Sequence, residues 1–82
     1  MDNQDQTQRE LTFGEKAVGL TFNPSGNDAV NTIKQQSAAL IDTLNDLRQA
    51  NDNPEVKRMA SVAITEVQTA QMWGVKAATW VG

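Results

Sequence analysis

Residues 28–56 read DAVNTIKQQSAALIDTLNDLRQANDNPEV, and this stretch decides the fold. Val30, Ile33, Ser37, Leu40, Leu44 and Leu47 recur at intervals of 3, 4, 3, 4 and 3, the heptad seam of an amphipathic helix. Ile41 widens the seam on one side. Lys34, Gln35, Asp42, Asn45 and Arg48 fall on the opposite face, where side chains meet water. The spacing predicts a helix from Asp28 to Gln49. Asn51-Asp52-Asn53-Pro54 then breaks it. Asn53 suits an N-cap, and Pro54 suits the first helical position, where its missing N–H is no loss. So short a connection predicts an antiparallel helical hairpin.

The second arm of the hairpin is predicted from Pro54 to near Thr79. Its seam is Val56, Ala60, Ala63, Val67, Ala70, Gly74 and Ala77, mostly small side chains that let two backbones approach closely. Met59, Ile64, Met72, Trp73, Val75 and Trp80 fall off that seam. Upstream, Thr12-Phe13-Gly14-Glu15 has the form of a capping box with Thr12 as N-cap and Glu15 at N3. It predicts a short first helix ending near Thr21, with Phe13, Ala17, Val18 and Leu20 close to one face. The connection Phe22-Asn23-Pro24-Ser25-Gly26-Asn27 follows: Asn-Pro leaves the helical region and Gly26 permits positive φ. Ser25 or Asn27 can cap the next helix. Residues 1–10 are polar and aperiodic and are expected to form a flexible tail, leaving residues 11–82 as one all-α domain.

Composition narrows the chemistry. The 82 residues contain no cysteine and no histidine. Thiol nucleophiles, thiolate metal sites and disulfides are excluded, and with them any catalytic constellation built on imidazole. No metal or cofactor is expected. The remaining carboxylate pairs, Glu10 with Glu15 and Asp42 with Asp46, read as surface charge, so no enzymatic activity is expected. A formal net charge of −3 argues against DNA binding through a basic surface. No run of about 20 apolar residues suits a membrane span, and the N-terminus lacks a signal pattern. The cytoplasm is the expected location.

Two tryptophans and two methionines outside the hairpin seam make an apolar surface larger than monomers usually expose. A second copy of the chain is its simplest cover. A three-helix monomer is the plainer alternative, and an adaptor that docks another protein on this face is a third reading.

Three features suggest a small anion-binding site. The loop from Phe22 to Asn27 gathers an aromatic ring, amides and a hydroxyl at a helix N-terminus, where free N–H groups attract anions. Lys57 and Arg58 lie in the first turn of a helix, where the dipole disfavours cations. Lys16 sits one turn from Phe13, a combination suited to stacking on a base while meeting its phosphate. A well-capped turn and a solvated basic pair would explain the same residues.

The run from Thr12 to Asn27, TFGEKAVGLTFNPSGN, resembles the start of the phage anti-CBASS cyclic-nucleotide sponges. Lys57-Arg58-Met59-Ala60 and the ending from Ala70 to Trp80, AQMWGVKAATW, are similar to the same family, whose hairpin domain is shared with the Thoeris anti-defence sponges. The resemblance spans residues 12–80. It implies a protein that binds cyclic dinucleotides, and in some members cyclic trinucleotides, and holds them away from antiviral effectors without cleaving them. It also implies a compact homo-oligomer, a hexamer, with pockets between protomers. It assigns stacking to Phe13, where other members carry tyrosine. Phe22, Asn23, Pro24, Ser25, Gly26 and Asn27 then supply loop contacts. Lys16 would stand in for a loop lysine found in some members. Arg58 belongs to a second, trinucleotide-type pocket near a symmetry axis, and Lys57 beside it is a candidate phosphate contact.

Overall fold

The structure, a computed structural model, describes residues 9–23 and 26–82. It comprises three helices, α1 (Phe13–Val18), α2 (Asp28–Gln49) and α3 (Pro54–Ala78). Among the described residues there is no strand. The all-α reading and the long hairpin therefore stand. The expected tail falls largely on residues 1–8, which lie outside the described residues. Arg9 is tied to Glu15 by two hydrogen bonds of 3.0 and 3.2 Å.

Local chemistry fixes the helix ends. Thr12 is extended at φ −70° and ψ 166°, and its hydroxyl accepts from the Glu15 amide at 3.0 Å. The Glu15 carboxylate accepts in return from the Thr12 amide at 2.9 Å, which completes the capping box. Contrary to the sequence expectation of an end near Thr21, α1 stops at Val18. Gly19 turns left-handed at φ 62°, and the Leu20 amide donates back to the Glu15 carbonyl at 3.0 Å, a closure that glycine permits without strain. Asn27 caps α2 by accepting from the Val30 amide at 3.0 Å. Asn53 caps α3 by accepting from the Glu55 amide at 2.9 Å, with Pro54 in the first turn.

Packing departs from the heptad seam. The buried stripe of α2 is Val30, Lys34, Ala38 and Ile41. Leu40 and Leu47 of the expected seam are each about half exposed. On α3 the buried residues are Ala60, Ile64 and Gln71, so Ile64 belongs to the core, not to the outer face where the seam put it. Ala70 and Ala77 of the seam are exposed. Lys34, expected in water, is buried.

The cause is α1, which packs beside the hairpin and draws the buried stripe of α2 round toward Lys34 and Ala38. Gly14 meets α2 with no room for a side chain: a Cβ there would run into the Ala38 carbonyl. Its amide donates to Asp42 Oδ1 at 2.7 Å. Gln68 of α3 donates to the Ala17 carbonyl at 3.1 Å, so α1 is held by both arms. Val18, Ala38, Ile41 and Ile64 form the core, with Ala17, Leu20, Leu44 and Val67 packed around it. Ile41 is fully enclosed, a burial that contributes about 2 kcal/mol. Further along the hairpin, Gly74 lets α3 approach Ile33, whose Cγ2 lies 3.3 Å from where a Cβ would stand.

At 100° per residue, Met59, Val62 and Trp73 share one stripe of α3, opposite the buried Ala60, Ile64 and Gln71. All three are at least 47% exposed.

Two outcomes follow from the docking of α1. Gly14→Ala is expected to lower the stability of the fold by about 2–3 kcal/mol, since it sets a methyl group against backbone and strains the bond to Asp42. Thermal denaturation followed by circular dichroism measures this, and an unchanged melting temperature would contradict the close approach. The second outcome concerns pH. The Arg9 guanidinium, together with the Thr12 amide, holds the Glu15 carboxyl below the usual carboxylate range. A lowered native pKa stabilises the fold above the ordinary value, and that contribution is lost as pH falls through the native one. Amides of Lys16, Ala17 and Val18 should therefore lose hydrogen-exchange protection in acid before those in the middle of α2 and α3 do.

Candidate functional site

The sequence-predicted site residues divide into two groups. The first surrounds Phe13. Its position immediately after the N-cap leaves the ring 45% exposed, and the guanidinium carbon of Arg48 lies 5.4 Å from the ring centroid. Arg48 is held rigidly, donating to Ser61 Oγ at 3.0 Å and to Asn45 Oδ1 at 2.7 Å. Lys57 closes the same cluster: its ammonium donates to the Arg48 carbonyl at 2.8 Å at the end of α2. Lys16 is exposed on the last turn of α1. Arg58 points elsewhere and forms a bidentate pair with Glu55 at 3.1 and 2.6 Å. The hydrogen bond raises the Arg58 pKa and lowers that of Glu55. Lys57 and Arg58, adjacent in sequence, thus do different things. Each has a local duty that accounts for a cation early in α3, one capping a helix end and one pairing within its own turn.

The second group is the connection into α2. Phe22 is 72% exposed. Asn23 and Asn27 lock the turn through their amides: Asn23 Nδ2 donates to the Asn27 carbonyl at 2.9 Å, and the Asn27 amide donates to Asn23 Oδ1 at 3.1 Å. The Gly26 amide donates to the Asn23 carbonyl at 3.0 Å, and Gly26 takes the positive φ of 64° that its sequence position suggests. Asn27 Nδ2 lies 3.5 Å from the Ala78 carbonyl, which places this turn beside the end of α3. Pro24 and Ser25 lie outside the described residues.

The two groups stand at opposite ends of α1. Asn27 and Arg48 are roughly 30 Å apart along α2 at 1.5 Å per residue, but Phe22 lies nearer to Phe13: α1 rises about 9 Å from Phe13 to Gly19, and the Phe22 amide donates to the Gly19 carbonyl at 2.9 Å, closing a turn less than about 7 Å across. Each group has an exposed phenyl ring over a cation, Phe13 with Arg48 and Phe22 with Lys34 at 5.3 Å. A third such pair, Trp73 with Lys76 at 5.5 Å, lies on α3.

Sequence reasoning missed Lys34, Arg48 and Asp42 as members of these arrangements because it set all three on the solvated face. Val30, Lys34, Ala38 and Ile41 do form a second stripe, spaced 4, 4 and 3. The small pair Ala38-Ala39 was the available signal that another backbone packs there. Asp42 is not half of an acid pair with Asp46; it binds the Gly14 amide. Glu15 is likewise engaged with Arg9 and Thr12, not with Glu10.

A cavity of about 260 Å³ lies between α1 and α2, lined by Arg9, Glu15, Leu20, Gln35 and Asp42 among others. It contains none of the residues assigned to ligand contact from the sequence. Among the described residues, no group of acidic side chains could hold a metal ion. No helix there is long and apolar enough to cross a membrane.

A family model described as Acb2/Tad1, hairpin domain, matches residues 15–79, which takes in most of α1 and all of the hairpin. No curated protein and no solved structure matches the chain.

Proposed function

The chain belongs to the Acb2/Tad1 hairpin-domain family, and we propose that it is a phage anti-defence sponge: it binds cyclic dinucleotides, or cyclic trinucleotides, and sequesters them from antiviral effectors in the host cytoplasm without cleaving them. The family match over residues 15–79 carries this reading. The chain's own chemistry is compatible with it. There is no histidine or cysteine to drive hydrolysis, and the exposed rings of Phe13 and Phe22 suit stacking on bases.

The pocket is shared between copies of the chain. This part rests on the resemblance, which puts the family's pockets between protomers, and on the separation of Asn27 from the Phe13 side: Gly14, next to Phe13, meets α2 at Asp42, about 20 Å along the helix from Asn27. In a homo-oligomer the Phe13 cluster of one copy can face the turn of another. Lys16 and Lys57 flank the Phe13 side and supply positive charge to the phosphates. Pro24 and Ser25, which the resemblance assigns to the ligand, are proposed as further contacts. Arg58, with Glu55, belongs to a separate pocket for trinucleotides. The apolar stripe of Met59, Val62 and Trp73 supplies an interface, because burying one tryptophan removes about 150–250 Å² from water. A hexamer is the assembly proposed.

Calorimetry of the purified chain against a panel of cyclic di- and trinucleotides tests the ligand class. Saturable binding and recovery of intact ligand after denaturation are expected; absence of heat with every compound would overturn the proposal. Sedimentation at several concentrations should show an oligomer. A complementation experiment tests the shared pocket. Phe13→Ala and Phe22→Ala chains should each bind at least about tenfold more weakly, the loss expected from one stacking ring. Co-assembled in equal amounts, they should regain both rings in about one pocket in four under random mixing. Mixtures that bind no better than either variant alone would place both rings in the same protomer's site.

A further inference from the structure

Lys34 is the least expected residue in the core. Only 4% of it is exposed, in a chain whose formal net charge is −3. Its ammonium donates to two backbone carbonyls, Gly19 at 2.9 Å and Phe22 at 2.5 Å. Both acceptors are neutral. The ion pairs among the described residues are Arg9 with Glu15 and Arg58 with Glu55, so no described carboxylate stands against Lys34.

Burying a cation without a counter-charge is unfavourable, and a neutral amide could satisfy two carbonyls at lower cost. The Gly19 carbonyl at the C-terminal end of α1 and the ring of Phe22 both favour a positive charge here, but neither carries a negative charge to neutralise it. The ammonium lies under the turn that joins α1 to α2, below the exposed ring of Phe22. Asn23 and Asn27 are occupied with each other there, and the turn itself offers no cationic side chain among its described residues. A charge held in a low-dielectric surround acts on a neighbouring anion more strongly than a solvated one. It is also already ordered, so no side-chain freedom is lost when the anion arrives.

We propose that Lys34 is the counter-charge for an internucleotide phosphate held at the Phe22 turn, acting from beneath the turn while its two hydrogen bonds fix the turn's shape. The proposal rests on the sponge reading. It makes Lys34 a positioning and charge-supplying residue, and it means that the phosphate on this side of the pocket is recognised by a cation on α2.

The test compares charged and neutral linkages. The probe is the cyclic dinucleotide that the unaltered chain binds most tightly, together with the same compound carrying methylphosphonate linkages. Lys34→Gln keeps an N–H donor and removes the charge; Lys34→Met is close in length and apolar, and serves if the first variant unfolds. Circular dichroism and sedimentation confirm that each variant is folded and assembled. Either variant should weaken binding of the charged dinucleotide tenfold or more, the scale of a lost charge-assisted contact, and should change binding of the neutral one less than about threefold. Equal losses for both compounds would mean that Lys34 only shapes the turn, which overturns the inference and leaves the sponge reading intact. An unaltered chain that binds no cyclic nucleotide overturns both.

Discussion

Everything distinctive in this small fold depends on how closely α1 can approach α2. A six-residue helix has little stability of its own, because so few intrahelical bonds form after the costly first turn. It persists here because Gly14 lets backbone meet backbone at Ala38 and because Asp42 accepts the Gly14 amide. That contact brings Val18 over Ile41 and Ile64 and so completes the core. It also fixes where Phe13 and the turn at Phe22 emerge, at opposite ends of a docked element. Removing the approach would cost more than one hydrogen bond: the cover of the core and the placement of both rings rest on it.

Much of the architecture was legible from the residues because helix ends are decided locally. Thr12 with Glu15, Asn53 with Pro54, and the breaks at Asn23 and Asn51 each act within a few residues, and each stands in the structure as its chemistry suggests. The register of burial was less legible. A heptad count treats α2 as one arm of a two-helix seam, and so favours Leu40 and Leu47 over Lys34 and Ala38. The count cannot know that a third, short helix packs on the flank, because that contact joins residues 28 positions apart. Ile64 and Lys34 were misassigned for this single reason.

The candidate site was legible in its residue types but not in its layout. Phe13, Phe22 and the asparagines stood out as rings and amides near helix starts, and they are indeed exposed or gathered in a turn. Their placement at the two ends of α1, Phe13 toward Arg48 and Phe22 over Lys34, follows from the antiparallel run of α1 along α2, which sequence spacing does not reveal. Arg48 shows the same limit. In the sequence it is one more solvated cation; in the structure, Ser61 and Asn45 hold it against the Phe13 ring. Lys57 and Arg58 show the reverse, since their apparent oddity has local answers in the end of α2 and in Glu55.

If the exposed stripe of Met59, Val62 and Trp73 brings copies together as proposed, a thermodynamic consequence follows. Where a binding pocket exists only between copies, assembly and ligand uptake are linked equilibria, and each must strengthen the other by the same factor. Chains too dilute to associate would leave their ligand free. Above a threshold they would capture it sharply, and the ligand would lower that threshold by binding only the assembled form. Under the proposed function, that stripe would do more than cover apolar surface: it would make retention of the ligand a collective property of the chains present.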